Sequence, residues 1–145
     1  MSVLNSVTLA FLGDAFFELS VRRRLVESGG ISAADRLHLA AVRYVNASSQ
    51  ATAIRGMIGL NILSEDELEI VRKARNHKPK SMPKNADPVD YKLATSFEAL
   101  LGYHCNEGRD ERAEALSELA MKIIDGKQPY LYITSEAGNN GGRIR

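Results

Sequence analysis

Apolar residues recur at helical spacing along this chain, and the pattern predicts an all-α protein. A first helix covers residues 3–27 and stops at the pair Gly29-Gly30. Ser32 and Asp35 have capping-box spacing, with Asp in the usual place of Glu, and predict a second helix carrying Leu37, Leu39, Ala40 and Val42. Asn46 is placed to cap a third helix that ends near Gly56 or Gly59. The run from Ser64 to Glu67 is another capping box; it opens a helix with Leu68 and Val71 inward that ends around His77. From His77 to Asp87 the stretch HKPKSMPKNAD is basic, interrupted by prolines and without periodicity, so it reads as a loop. Asp87-Pro88 then sets an N-cap residue before a proline at the first helical position. The helix that follows runs to about Asn106 and is apolar almost all round, with Leu93, Ala94, Phe97, Ala99, Leu100 and Leu101, as expected of a central, buried helix. A last amphipathic helix begins near Asp110, with Ala113, Leu116, Ala120 and Ile123 as its inner stripe. Residues 1–126 read as one domain and residues 127–145 as a C-terminal tail, whose polar, glycine-rich end SEAGNNGGRIR is expected to be disordered or tag-like.

Two of these helices carry acids among apolar residues. Asp14 lies on one face with Val7, Phe11 and Val21, and Glu18 follows it one turn later. Glu98 shares a face with Ala94, Leu101 and Cys105. An ionised carboxylate without a partner costs several kcal/mol to bury, on the order of the Born penalty left after relaxation. One reading is that each acid pairs with an arginine from elsewhere. The other takes in Gly13 and Gly102, which stand near the two acids and allow a second helix or a ligand to come close. Carboxylates converging from two packed helices make a hard-oxygen site suited to Mg²⁺ or Mn²⁺. Such an ion activates water and stabilises charge on a phosphodiester.

The stretches around these acids carry a resemblance. FLGDAFFEL (Phe11 to Leu19) resembles the signature helix of ribonuclease III, and ATSFEALLGY (Ala94 to Tyr103) its second acidic helix. RYVNASSQA (Arg43 to Ala51), VRKARN (Val71 to Asn76) and PKNADPVDYKLATSFEALLGY (Pro83 to Tyr103) are similar, in the same order, to the mini-ribonuclease III branch. That branch consists of a catalytic domain without a double-stranded-RNA-binding domain. The resemblance spans about Leu9 to Ile124 and implies the helical bundle of the ribonuclease III endonuclease domain. It implies Asp14 and Glu98 as catalytic, metal-holding residues of an Mg²⁺-dependent endoribonuclease, with Mn²⁺ able to substitute. The implied substrate is double-stranded RNA, namely the paired ends of a 23S ribosomal RNA precursor, cut to 5′-phosphate and 3′-hydroxyl products. The implied assembly is a homodimer with two sites across one duplex groove, each cutting one strand to leave a 3′ overhang. The sequence also departs from full-length ribonuclease III, which has acids where this chain has Val7, Ala10 and Thr95. The mini branch shares these losses. Glu18 is available to supply part of the missing charge, or to pair with Arg22 at i+4.

Net charge is only +1, so any RNA contact must come from local clustering. Between Arg72 and Lys84 stand six bases, Arg72, Lys73, Arg75, Lys78, Lys80 and Lys84, with no acid. Taken alone the run reads equally well as a solvated loop. Beside a phosphodiester site it becomes an RNA contact, with Asn76 and Asn85 as polar neighbours. Arg22, Arg23 and Arg24 point three ways round a helix and form no single patch. His38, His77 and His104 lack the spacing of a metal-ligand set. Phe16 and Phe17 fit either a dimer seam or the monomer core. The single cysteine, Cys105, excludes an intrachain disulfide and reads as core filler, which fits a reducing cytoplasm, bacterial or that of an organelle reached by a transit peptide since removed. No stretch is long enough to span a bilayer, and no secretory signal is visible. The rival to the nuclease is a non-catalytic RNA-binding or ribosome-associated module on the same fold. Retention of both Asp14 and Glu98 argues against it, because a binder has no reason to bear their desolvation.

Overall fold

Six helices make up the architecture of residues 4–126, the part of the chain described by a computed structural model: α1 (Ser6–Ser28), α2 (Ala34–Val45), α3 (Ala47–Gly59), α4 (Glu65–Asn76), α5 (Pro88–Asn106) and α6 (Asp110–Ile124). No strand occurs among the described residues. The tail expected over residues 127–145 lies outside them. Most helix boundaries follow from local chemistry. Gly29, at φ 67°, adopts the left-handed conformation that closes α1. The Asn46 side chain accepts from the Ser49 backbone N–H at 2.8 Å and starts α3. Ser64 and Glu67 form the reciprocal capping box at α4. Asp87 accepts from the N–H groups of Val89 and Asp90, with Pro88 at the first turn of α5.

The second helix begins differently from the expectation. Ser32 and Asp35 make no capping box; Ala33 occupies the N-cap of α2 and offers no side-chain bond. Its Leu39 is 69% exposed.

Helix α5 packs against α1, α3, α4 and α6, which explains its nearly continuous apolar surface. Phe97 of α5 meets Phe17 of α1 edge-on, with ring centroids 4.9 Å apart. Both rings are fully buried, and Val21, Ile54, Met57, Leu100, Leu101, Leu116 and Met121 close the core around them. Phe17 is therefore monomer core and Phe16 packs against it, so neither forms an exposed seam. The exposed large apolar residues of α1 are Val7, Phe11, Leu19 and Val26, with Phe11 82% exposed.

The closest approach lies between α1 and α5. A Cβ at Gly13 would overlap the carbonyl oxygen of Glu98, and one at Gly102 would overlap the carbonyl oxygen of Leu9. The two backbones touch because both positions lack side chains. This reciprocal contact sets the spacing of the two acidic helices.

On α4 the expected orientation is inverted at one position. Leu68 stays partly exposed, whereas Glu67 is buried. The Glu67 carboxylate accepts from His104 Nε2 at 2.6 Å and from Arg112 Nε and Nη2 at 3.0 Å each. Arg109 Nε donates to His104 Nδ1 at 3.0 Å, so Nε2 carries the imidazole proton and the ring is neutral. Burial opposes ionisation of Glu67, but the bonds from His104, Arg112 and the Ser64 backbone outweigh it and hold the carboxyl well below the usual range. His104 is thus a structural donor rather than a metal ligand.

Two stability changes follow from these contacts. Gly13→Ala is expected to lower stability by about 2 kcal/mol or more, because overpacking at a backbone contact outweighs the helix-propensity gain. Gly59→Ala, with open space around its Cβ, is expected to be neutral or to stabilise by up to about 1 kcal/mol. Chemical denaturation of both variants reads the difference in sign. Glu67→Gln is expected to cost about 3 kcal/mol by leaving Arg112 without its countercharge. The wild-type contribution is present above the ordinary carboxyl value of 4.5 and fades as pH falls below it. The urea midpoint of the variant will accordingly depend less on acid pH.

Candidate active site

Asp14 projects from α1 one residue past Gly13, and Glu98 projects from α5 at the residue whose carbonyl Gly13 touches. The glycine contact therefore brings the two carboxyl groups close enough for Asp14 to act on Glu98 electrostatically. Their environments differ. Glu98 is half-buried, whereas Asp14 is exposed on the same surface as Phe11 and Val7. The apolar residues around Asp14 are thus largely a surface patch and not core, and its expected burial does not occur.

Glu98 is pushed up to about 9 from an ordinary value of 4.5. Burial is the main cause; the Asp14 carboxyl raises it further, and Glu18 adds a weaker repulsion. A side-chain hydrogen bond from Gln50 acts in the opposite direction. Gln50 belongs to α3 and is only 2% exposed. It stands in the stretch RYVNASSQA, where nothing in the spacing marks it as different from a solvent-facing residue. Glu18 pairs with Arg22 at 3.2 Å and still contributes negative charge to the site.

The two acids open into a cleft of about 680 Å³. Lys80 and His77 from the basic segment and Lys92 from α5 line it. Val7, Ala10 and Thr95, the positions where larger ribonucleases III have acids, also form its wall. Thr95 donates its hydroxyl to the Tyr91 carbonyl at 2.9 Å. The site therefore offers two facing carboxyls, with cations nearby and an apolar wall. Among the described residues no group of three or more His, Cys, Asp or Glu side chains could hold a metal by themselves. Two carboxylates are nonetheless a sufficient protein share for Mg²⁺, which takes its other oxygens from water and substrate phosphate. A pair of acids forced together with one proton retained is the chemistry that a divalent cation relieves.

The basic segment is distributed rather than concentrated. Lys80 reaches the acidic cleft. Arg75 and Asn76 line a neighbouring cleft of about 640 Å³ with Arg55, and Lys92 borders both. Arg72 turns back to Glu69, with bonds of 2.6 and 2.9 Å. Lys73, Lys78, Lys84 and Asn85 are exposed and line neither cleft. Arg55 and Lys92 have no place in the sequence run, because α3 and α5 deliver them from outside it.

Comparison with known proteins agrees with this architecture. The model of the ribonuclease III domain family matches residues 7–109. Mini-ribonuclease 3 of Brevibacillus brevis is 40% identical over 126 residues, covering 87% of this chain and 92% of that protein. Mini-ribonuclease 3 of Symbiobacterium thermophilum is 42% identical over 125 residues, covering 86% of this chain and 94% of that protein. A Fusobacterium nucleatum protein of known crystal structure superposes with a TM-score of 0.71 at 28% identity, over 81% of this chain and 92% of that one. With a domain match across both acidic helices and relatives aligned over nearly their whole length, the chain belongs to the ribonuclease III family, in its mini-ribonuclease III branch.

Proposed function

We propose that this protein is an Mg²⁺-dependent endoribonuclease that hydrolyses double-stranded RNA. The observation that carries the reading is the contact of Asp14 and Glu98 in a cleft also lined by Lys80 and Lys92. Asp14 and Glu98 would hold the ion, and Mn²⁺ would substitute for it. When bound, the ion supplies activation of water and neutralisation of charge on the scissile phosphodiester. Lys80 and Lys92 are placed to neutralise neighbouring phosphates. Arg75 and Asn76, on the adjoining cleft, extend the cationic surface along the backbone. Hydrolysis joins a water oxygen to phosphorus and breaks the bond to the 3′-oxygen, which takes up a proton. The products are a 5′-phosphate and a 3′-hydroxyl.

The resemblance to the mini branch supports a 23S ribosomal RNA precursor as the substrate, met in the cytoplasm. No described helix is long and apolar enough to cross a membrane. The exposed Phe11 and Val7 beside Asp14 support a homodimer that covers them and sets two sites on one duplex.

Cleavage of a long RNA duplex with Mg²⁺, followed on a denaturing gel, tests the assignment. Wild type is expected to cut, EDTA to stop it, and Asp14→Asn and Glu98→Gln to lose at least about 100-fold in rate, as for removal of a charge-stabilising group. Duplex binding without metal-dependent cleavage by the wild type would point instead to a non-catalytic RNA-binding module. A second measurement uses the metal-free protein. Between pH 4.5 and about 9 the folded state retains a proton on Glu98 that the unfolded chain releases, so stability falls as pH rises through that window. The slope is at most about 1.4 kcal/mol per pH unit. Glu98→Gln is expected to fold and to lose this dependence.

A further inference from the structure

We propose that the cleft between α3, α4 and α5 holds one unpaired nucleotide of the RNA, with its base on the cleft floor and its phosphate at the cationic rim. The inference rests on the proposed action on RNA and adds a feature of the substrate, an unpaired position near the cut.

The cleft has two kinds of wall. Ile58 of α3 with Val89 and Leu93 of α5 make it apolar, and Arg55, Arg75 and Lys92 make it cationic. The apolar part is open to solvent, since Val89 is 59% exposed and Ile58 39%. A closed RNA duplex offers a protein mainly phosphates and 2′-hydroxyls. It would engage the cations and leave the apolar floor in water. An apolar ligand would do the reverse. An unpaired nucleotide engages both, because its base has an apolar face and its phosphate a negative charge. The volume, about 640 Å³, lies within the roughly 300–1,000 Å³ of small-ligand sites.

Charge and position both favour RNA as the source of that nucleotide. Asp90 pairs with Arg55 at 3.3 Å. Among the described residues no acid pairs with Arg75 or Lys92, so the cleft stays net positive. The pairing also fixes the Arg55 guanidinium, and a fixed guanidinium offers its plane to a base. Lys92 lines this cleft and the cleft of Asp14 and Glu98 alike, so one strand can pass from one to the other. Along α5 the distance from Val89 to Glu98 is about 14 Å at the helical rise, a span of a few nucleotides. A peptide of acidic and apolar residues would satisfy the same chemistry. The shared Lys92 decides for RNA, because it joins the cleft to a site suited to a phosphodiester.

The test uses RNA duplexes with one unpaired 2-aminopurine, placed at successive positions along one strand. The full chain is titrated in EDTA, so that binding is read without cleavage. At one position the wild type is expected to raise the probe's emission, because a base taken out of the stack is no longer quenched. That RNA is expected to bind roughly 5-fold more tightly than the fully paired duplex, the low end of what a stacked base contributes. Ile58→Ser combined with Val89→Ser removes the floor at two exposed positions. The emission change and the preference are both expected to disappear, with the circular-dichroism spectrum unchanged. Val89→Ser alone is read in the same way if the double variant does not fold. A folded variant that keeps both signals would overturn the proposal. So would a wild type that shows neither at any position, which leaves the acidic peptide as the ligand class of the cleft. Probe binding with no cleavage of any duplex once Mg²⁺ is supplied would instead sink the nuclease reading alone, so the two failures are distinct.

Discussion

The site depends on a place where two helices meet backbone to backbone. Gly13 and Gly102 lie against the carbonyl groups of Glu98 and Leu9, and neither position has room for a Cβ. Asp14 follows Gly13 on α1, and Glu98 supplies the carbonyl that Gly13 meets on α5, so this contact brings the two acids together. Their repulsion is overcome by the packing of α1 on α5 rather than by a countercharge. The energy that holds the acids together is supplied by the core behind them, by Phe17 on Phe97 and the side chains packed round that pair. The arrangement leaves α1 with two unlike faces. One enters the core, and the other carries Phe11, Val7 and Asp14 outward.

The molecule contains two acids in low-polarity surroundings, and the contrast between them separates structure from chemistry. Glu67 is more completely buried than Glu98, yet it is held ionised because His104, Arg112 and the Ser64 backbone supply donors for it. It joins α4 to the end of α5 and the start of α6, and it is saturated. Among the described residues Glu98 forms no ion pair, and it faces another acid; burial first, and that acid second, favour its protonated form. A saturated buried carboxylate is a structural joint, whereas one that is short of positive charge is a site with affinity for it. Lys80 and Lys92 line the same cleft, where they suit the phosphates of a ligand.

The departures from the larger ribonucleases III acquire a physical meaning in this setting. Val7, Ala10 and Thr95 all line the cleft of Asp14 and Glu98. Acids there would add to the repulsion from Asp14, which raises Glu98 on top of the larger effect of burial. With an apolar wall instead, the cleft concentrates its negative charge on two groups. Fewer protein oxygens leave more of an ion's shell to water and to phosphate, which suits Mg²⁺.

The helices and most of their ends were legible in the sequence because the causes are local. Caps at Asn46, Ser64 and Asp87, and the left-handed Gly29, act within three or four residues of where they stand. The acidic pair was also legible, since Gly13 and Gly102 mark a close helix contact and the motifs around them carry a family resemblance. What failed depended on partners far along the chain. Leu68 gave up the inward position on α4 to Glu67, because His104, 37 residues away, and Arg112 were waiting for a carboxylate. Ser32 lost its capping role to the start of α2 one residue later than its spacing implied. The exposure of Asp14, the burial of Gln50 and the arrival of Lys92 and Arg55 beside the basic segment belong to the packing of α1, α3 and α5. Sequence alone determined which helices form and which acids are out of place, because propensity and capping are short-range. Only the tertiary structure decided which of those acids keeps its proton and what holds it, because the environment of a charge is made by every element packed around it.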